Sequence, residues 1–247
     1  MKKILSIAAF LLIAASSEAQ TVNVHKTDGT TVKYDASQVE YIDFSEASGS
    51  TAPEAAKAID LGLPSGTKWA NMNVGAEKPE DYGLYFAWGE TTGYTGDTSD
   101  GRLFDWDNYK FGTSSALTKY TGSDKSVLDP EDDAATANWG EGWRMPTKDE
   151  IKELFDNTTN EWTELNGVKG RKFTAKNGSG NFIFLPASGF RSGGSLLSVG
   201  SGGYYWSSSL DESSPASAYS LSFYSGGAGW GYDDRHYGQS VRPVRTE

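Results

Sequence analysis

The run Asp233-Asp234-Arg235-His236-Tyr237 is the densest group of chemically capable side chains in the sequence. Two carboxylates close to one imidazole are the parts of a general base and the group that orients it. A nucleophile or an oxyanion device would have to stand beside them. No Gly-x-Ser-x-Gly elbow, phosphate loop or His-Glu-x-x-His occurs. The other histidine, His25, lies near the start of the chain, and there is no cysteine at all. That removes thiol nucleophiles, thiolate metal sites, disulfides and a lipidated N-terminal cysteine. An enzyme would have to work with His236 and Asp233 or Asp234 alone, which makes catalysis the alternative reading and binding the leading one. Asp105-Trp106-Asp107-Asn108 and Asp129-Pro130-Glu131-Asp132-Asp133 are rich in oxygen ligands. The first lacks the turn glycine and closing glutamate of a calcium loop, and the second reads as a helix start, so neither a metal nor a cofactor is expected.

The residues around His236 have a distinctive composition. Tyr219-Ser220-Leu221-Ser222-Phe223-Tyr224 alternates with period 2, so as a strand it sends Tyr219, Leu221 and Phe223 to the core. Ser220, Ser222 and Tyr224 are then expected to face solvent. Beyond them come Gly229, Trp230, Gly231, Tyr232, Asp233, Asp234, His236 and Tyr237. Tyrosine supplies contact area at low entropy cost, while serine and glycine adapt, a mixture that binding loops of antibodies exploit. The expected contact places Trp230, Tyr232 and Tyr237 at its centre. Asp233, Asp234 and His236 form the polar margin, and the loop after Arg191 runs alongside. An imidazole titrating near neutral pH would tune it. The ordinary alternative is a Gly/Ser-rich surface loop.

Several elements must hold this segment in place. Thr147 with Glu150 three residues on is a capping box, followed by Ile151, Leu154 and Phe155 on one helical face. The spacing predicts a helix over 147–156. A second helix is predicted over 129–138, with Asp129 as its cap and Pro130 at its first position. The stretches FIFLP, YYWSSS and YSLSFYS read as strands, and SVRPVR closes the chain. Trp69, Trp88, Trp139 and Trp143 are expected in the core.

Residues 1–19 have the basic end, the apolar run from Ile4 to Ala15 and the small-residue site of a secretory signal. Export to the periplasm, the cell surface or the medium is expected, not as a lipoprotein. Residues 20–46 read as a small β appendage with an Asp28-Gly29 turn and a second apolar stretch, Val39 to Phe44. Residues 47–57 read as a linker, and 58–247 as the main domain. The formal charge of −11 is concentrated between Glu77 and Asp156, with 18 acids against 8 bases, whereas 187–247 holds 5 against 4. No basic stripe is present, so nucleic acid and membrane insertion after signal cleavage are not expected. A protein or glycan ligand is.

The ordered motifs DLGLPSGTKWANMNVGA, YFAWGET, NWGEGWRMPT, YYWSSS and GQSVRPVR resemble the FISUMP-type (major paralogous) domain, a relative of formylglycine-generating enzymes. The resemblance covers 58–247. It implies an α+β, C-type-lectin-like domain with two helices, small twisted mixed and antiparallel sheets, and N- and C-terminal strands side by side. Those enzymes work through cysteines and calcium-dependent lectins through Glu-Pro-Asn or Gln-Pro-Asp, and this sequence has none of these. A closer resemblance is to the variable proteins of diversity-generating retroelements, whose C-terminal region is rewritten at template adenines. Ser220, Ser222, Tyr224, Gly229, Gly231, Tyr232, Asp233, Asp234, His236 and Tyr237 are residue types that such rewriting produces. Asp211, Ser213 and Ser214 extend the set, whereas Glu212 and Trp230 are unreachable and should be fixed. The resemblance therefore implies an adhesive display surface, the alternative being a glycan-binding adhesin of fixed specificity.

Overall fold

The structure, a computed structural model, describes residues 21–25, 31–35 and 51–246. The expected signal, the Asp28-Gly29 turn, the Val39–Phe44 stretch and the first four residues of the linker lie outside the described residues. The chain divides into two units, Met1–Ala47 and Ser48–Glu247. In the first, β1 (Thr21–His25) pairs antiparallel with β2 (Thr31–Asp35).

The second unit is mixed α and β, mostly β. Its strands begin with β3 (Ala58–Ile59), β4 (Lys68–Ala70), β5 (Tyr85–Phe86), β6 (Gly112–Thr113) and β7 (Ala116–Leu117). Helices α1 (Ala134–Trp139) and α2 (Lys148–Asn157) follow, then β8 (Thr158–Leu165), β9 (Val168–Ala175), β10 (Phe182–Pro186), β11 (Phe190–Ser192) and β12 (Ser195–Leu197). The last strands are β13 (Gly202–Leu210), β14 (Ser217–Tyr224), β15 (Gly227–Asp234), β16 (Gln239–Ser240) and β17 (Val244–Arg245). The largest sheet has the order β15-β14-β13-β16-β5, with β15 at its edge. A three-stranded sheet, β17-β4-β3, brings the end of the chain against 58–70, the side-by-side arrangement expected. Among the described residues no helix is long and apolar enough to cross a membrane.

Local chemistry explains the helices. Thr147 caps α2 through the full capping box with Glu150, as the spacing predicts. The 129–138 helix is corrected. Pro130–Asp132 forms only a 3₁₀ turn, and Asp129 makes no side-chain cap. Asp133 is the cap of α1, accepting from the Ala135 and Thr136 N–H groups at 2.9 Å each. Its carboxylate also takes the Met145 N–H, so one buried acid ties α1 to the following loop. Burial pushes this carboxyl above its ordinary range, and the N–H donors pull against that.

The large sheet separates two apolar clusters. On one face lie Trp206 and Ala218 with Trp88, Phe104, Tyr120, Trp139 and Trp143. On the other, Tyr205, Leu221 and Phe223 meet Ile151 and Leu154 of α2, Trp69, Phe173 and Leu185. All four tryptophans expected in the core are buried. Both faces of β13 and β14 are therefore covered along part of their length, which a single-faced reading of the period-2 pattern misses. The linker expectation also needs correction at its end. Ala52 and Ala56 pack against the first cluster, and Asn71 bonds the backbone of Ala55 and Lys57.

Candidate functional site

The β14–β15 hairpin carries most of the predicted contact residues. Its eight paired positions run from Ser217 opposite Asp234 to Tyr224 opposite Gly227 without a bulge. Because side chains alternate along a strand, the candidates divide between two faces. Ser220, Ser222 and Tyr224 share one face with Gly229, Gly231 and Asp233. Trp230 and Tyr232 share the other with Tyr219. The single contact centred on Trp230, Tyr232 and Tyr237 is thus corrected: Tyr237 belongs with the first face, where it packs on the Trp206 cluster.

The first face has a floor of small residues. A Cβ added at Gly229 or Gly231 would meet nothing within 4 Å. Ser222 is half-buried beside Tyr204, its partner on β13. Ser220, expected in solvent, is 1% exposed because Trp206 lies across from it and Asp233 closes over it. Its Oγ donates to Asp233 Oδ2 at 2.7 Å, and Gln239 Nε2 donates to the same oxygen at 2.8 Å. Among the described residues Oδ1 of Asp233 accepts no hydrogen bond. The carboxylate is therefore fixed on one side and unspent on the other.

Aromatic rings bound this floor in an unbroken series. Tyr204 meets Phe190 at 4.8 Å between centroids, and Phe190 meets Tyr237 at 5.5 Å. Tyr237 meets His236 at 4.4 Å, and His236 meets Trp106 at 4.8 Å. Tyr204, Phe190, Tyr237 and Trp106 each keep part of their ring exposed. Sequence reasoning missed Tyr204, Phe190 and Trp106, which come from three separate segments. The β11–β12 hairpin does lie alongside, as expected of the loop after Arg191, through the Arg191–Gly238 bridge. Arg191 itself is buried and forks Asp100 at 2.6 and 3.0 Å.

His236 is buried among rings and makes no hydrogen bond to either aspartate among the described residues. Its Nδ1 is buried without a partner. Burial pushes its pKa below the ordinary value, while Asp234 and Asp105 oppose that less strongly. The direction favours the neutral imidazole. Without a hydrogen bond from His236 to Asp233 or Asp234 among the described residues, the two aspartates do not orient the imidazole in this structure, and Ser220 Oγ donates to Asp233 instead.

The second face of the hairpin exposes Trp230 by 46% and Tyr232 by 62%. Trp230 packs on Tyr219 at 6.0 Å, and Lys148 Nζ sits 4.4 Å from the centre of the Tyr219 ring. Tyr219, expected in the core, is half-buried and borders a cleft of about 470 Å³ with Lys148, Asp149, Asp211 and Glu212. Asp211 is buried and held by Ser213 Oγ at 2.6 Å.

The oxygen-rich loops are spent on protein partners. Asp105 caps a 3₁₀ turn by accepting from Asn108 N–H. Asp129, Glu131 and Asp132 lie within 4.8 Å of one another, but Lys119 reaches all three, Lys110 bonds Asp132 and Lys125 bonds Asp129.

Residues 157–244 match a family described as "Domain of unknown function (DUF8237)". That span runs from the end of α2 to the first residue of β17 and contains the hairpin, the small-residue floor and most of the ring series, Trp106 excepted. No curated protein and no solved structure matches the chain.

Proposed function

We propose that this is a non-enzymatic ligand-binding protein, with the Gly/Ser face of the β14–β15 hairpin as its contact surface for a protein or glycan ligand. One observation carries the reading: a floor of glycine and serine, walled by partly exposed rings, with one unspent carboxylate oxygen. Open space above Gly229 and Gly231 leaves room for a ligand group. Rings supply area that can be dried, and Asp233 supplies one fixed polar contact.

A labelled full-length chain applied to a glycan array and to an array of protein ectodomains tests the proposal. Tyr237→Ala is expected to weaken a hit by about tenfold or more, in the range of hot-spot aromatics. Trp230→Ala should change it little. Loss on Trp230→Ala with Tyr237→Ala unaffected would move the contact to the opposite face of the hairpin.

The C-type-lectin-like fold and the diversified display surface belong to this proposal. The openness at Gly229 and Gly231 and the exposure of Tyr224 and Tyr232 support the display reading, because replacements there leave the core untouched. Ser220 and Arg235 are buried and should be spared. Sequencing the 3′ end of the gene across isolates is expected to show changes at 222, 224, 229, 231 and 232. An invariant segment would leave a fixed-specificity adhesin.

A further inference from the structure

Away from the hairpin, a cleft of about 570 Å³ opens between the 127–130 segment, the start of α1, the turn at 141–144 and the C-terminal strand β17. Its size suits a small organic molecule, for which pockets run roughly 300–1,000 Å³. Val127, Leu128 and Trp143 give it an apolar wall. Val127 is 43% exposed, an aliphatic side chain left partly bare at the rim.

Four ionisable side chains face this space: Asp133, Glu141, Arg144 and Arg245. Asp133 is occupied by the N–H groups of Ala135, Thr136 and Met145. Arg144 forks Glu150, with Nη1 at 2.6 Å and Nη2 at 2.5 Å. Glu141 is exposed at the rim, where water and salt screen it. Arg245 differs from the other three. Its guanidinium lies 5.3 Å from the centre of the Trp143 ring, and among the described residues it has no carboxylate and no side-chain hydrogen bond. Its Nε is buried without an acceptor. A buried donor left unmade is costly, and such groups are rare in folded proteins. The ring restrains the guanidinium, and its terminal N–H groups are left to meet a carboxylate in the forked geometry arginine favours.

We propose that this cleft binds a small organic acid with an apolar body, the carboxylate on Arg245 and the body against Trp143, Leu128 and Val127. Charge and shape argue together. Among the described residues, the one cation of the cleft without an acid is the one mounted on its aromatic wall.

The test uses the full chain and three probes: 3-phenylpropionate, octanoate and the uncharged 3-phenylpropanamide. Calorimetry and tryptophan fluorescence follow each titration. Saturable binding is expected for the two acids, and binding about tenfold or more weaker for the amide, as loss of a charged hydrogen bond implies. Arg245→Gln retains the β17 backbone pairing and should weaken the acids by a similar factor at unchanged melting temperature. Val127→Asp, at an exposed position, should do the same by repulsion. No saturable binding by either acid, equal binding of acid and amide, or full affinity in both variants would overturn the proposal. So would an equal loss in Tyr237→Ala, which would place the acid on the hairpin.

Discussion

Replacing Arg235 with alanine is expected to remove roughly 4–5 kcal/mol or more of stability, enough to unfold many domains that hold only about 5–15 kcal/mol. Arg235 is fully buried in the middle of the segment that carries the binding face. Its Nε donates to Tyr109 Oη at 2.8 Å, Nη1 to the carbonyls of Tyr120 and Pro215 at 3.0 and 2.9 Å, and Nη2 to that of Lys119 at 3.1 Å. No carboxylate pairs with it among the described residues. Its charge is held instead by those carbonyls and by rings, with Trp88 at 4.7 Å and Tyr109 at 5.2 Å. A desolvated cation on an aromatic face is worth about 2 kcal/mol, and each stranded buried acceptor costs about 1–3 kcal/mol. Alanine adds a cavity to these losses. Methionine fills most of the volume, so Arg235→Met should lose about 3 kcal/mol, chiefly through unpaired acceptors. Urea unfolding of the full chain, followed by tryptophan fluorescence and far-ultraviolet circular dichroism, measures both. An alanine variant within about 1 kcal/mol of the parent would show that the carbonyls find water and that the rings close the gap.

Arg235 also shows where sequence reading stops. Arginine is ordinarily a surface residue, and nothing local distinguishes Arg235, Arg191 and Arg242 from solvated cations, yet all three are fully buried. Arg242 donates to Asn73 Oδ1 and to the carbonyls of Ala70 and Phe184, and burial lowers its pKa to about 10. Their partners lie on distant segments, and only the assembled fold brings them together. Signals that act within a few residues were readable. The Thr147 capping box and the alternation in β14 are of this kind. Asn166-Gly167, both at positive φ between Leu165 and Val168, is a hairpin signal of the same local kind. The misplaced start of α1 has a local cause too. Asp129 and Asp133 are the same residue type four apart, and Asp133 is the one whose carboxylate reaches both its own helix and Met145. The candidate site was legible as a composition but not as a surface. The sequence could not show that alternation would divide its aromatics between two faces, or that Tyr204, Phe190 and Trp106 would complete one of them.

Gly229→Arg is expected to abolish ligand binding, a loss of about a hundredfold or more from filling a contact surface, while the melting temperature stays the same or rises. A Cβ at Gly229 meets nothing within 4 Å, and its φ is not in the left-handed region. A side chain there costs the fold nothing and removes some freedom from the unfolded chain. It would project from the edge strand β15 over the floor beside Ser222, where the ligand is proposed to sit. Gly189→Ala supplies the opposite case. Gly189 has φ +67°, and its added Cβ would stand 2.0 Å from the Leu197 carbonyl oxygen and 2.8 Å from Val199 N. Backbone cannot move aside as a flexible side chain can, so a loss of roughly 2–4 kcal/mol is expected. Any fall in binding should then follow the folded fraction. Thermal melts and array binding on both variants separate the two causes. If Gly229→Arg folds and binds like the parent, the floor is not the contact surface. If it unfolds, the space above Gly229 is occupied in the working protein. Only a stable variant that no longer binds shows that glycine stands there to leave the surface open for the ligand.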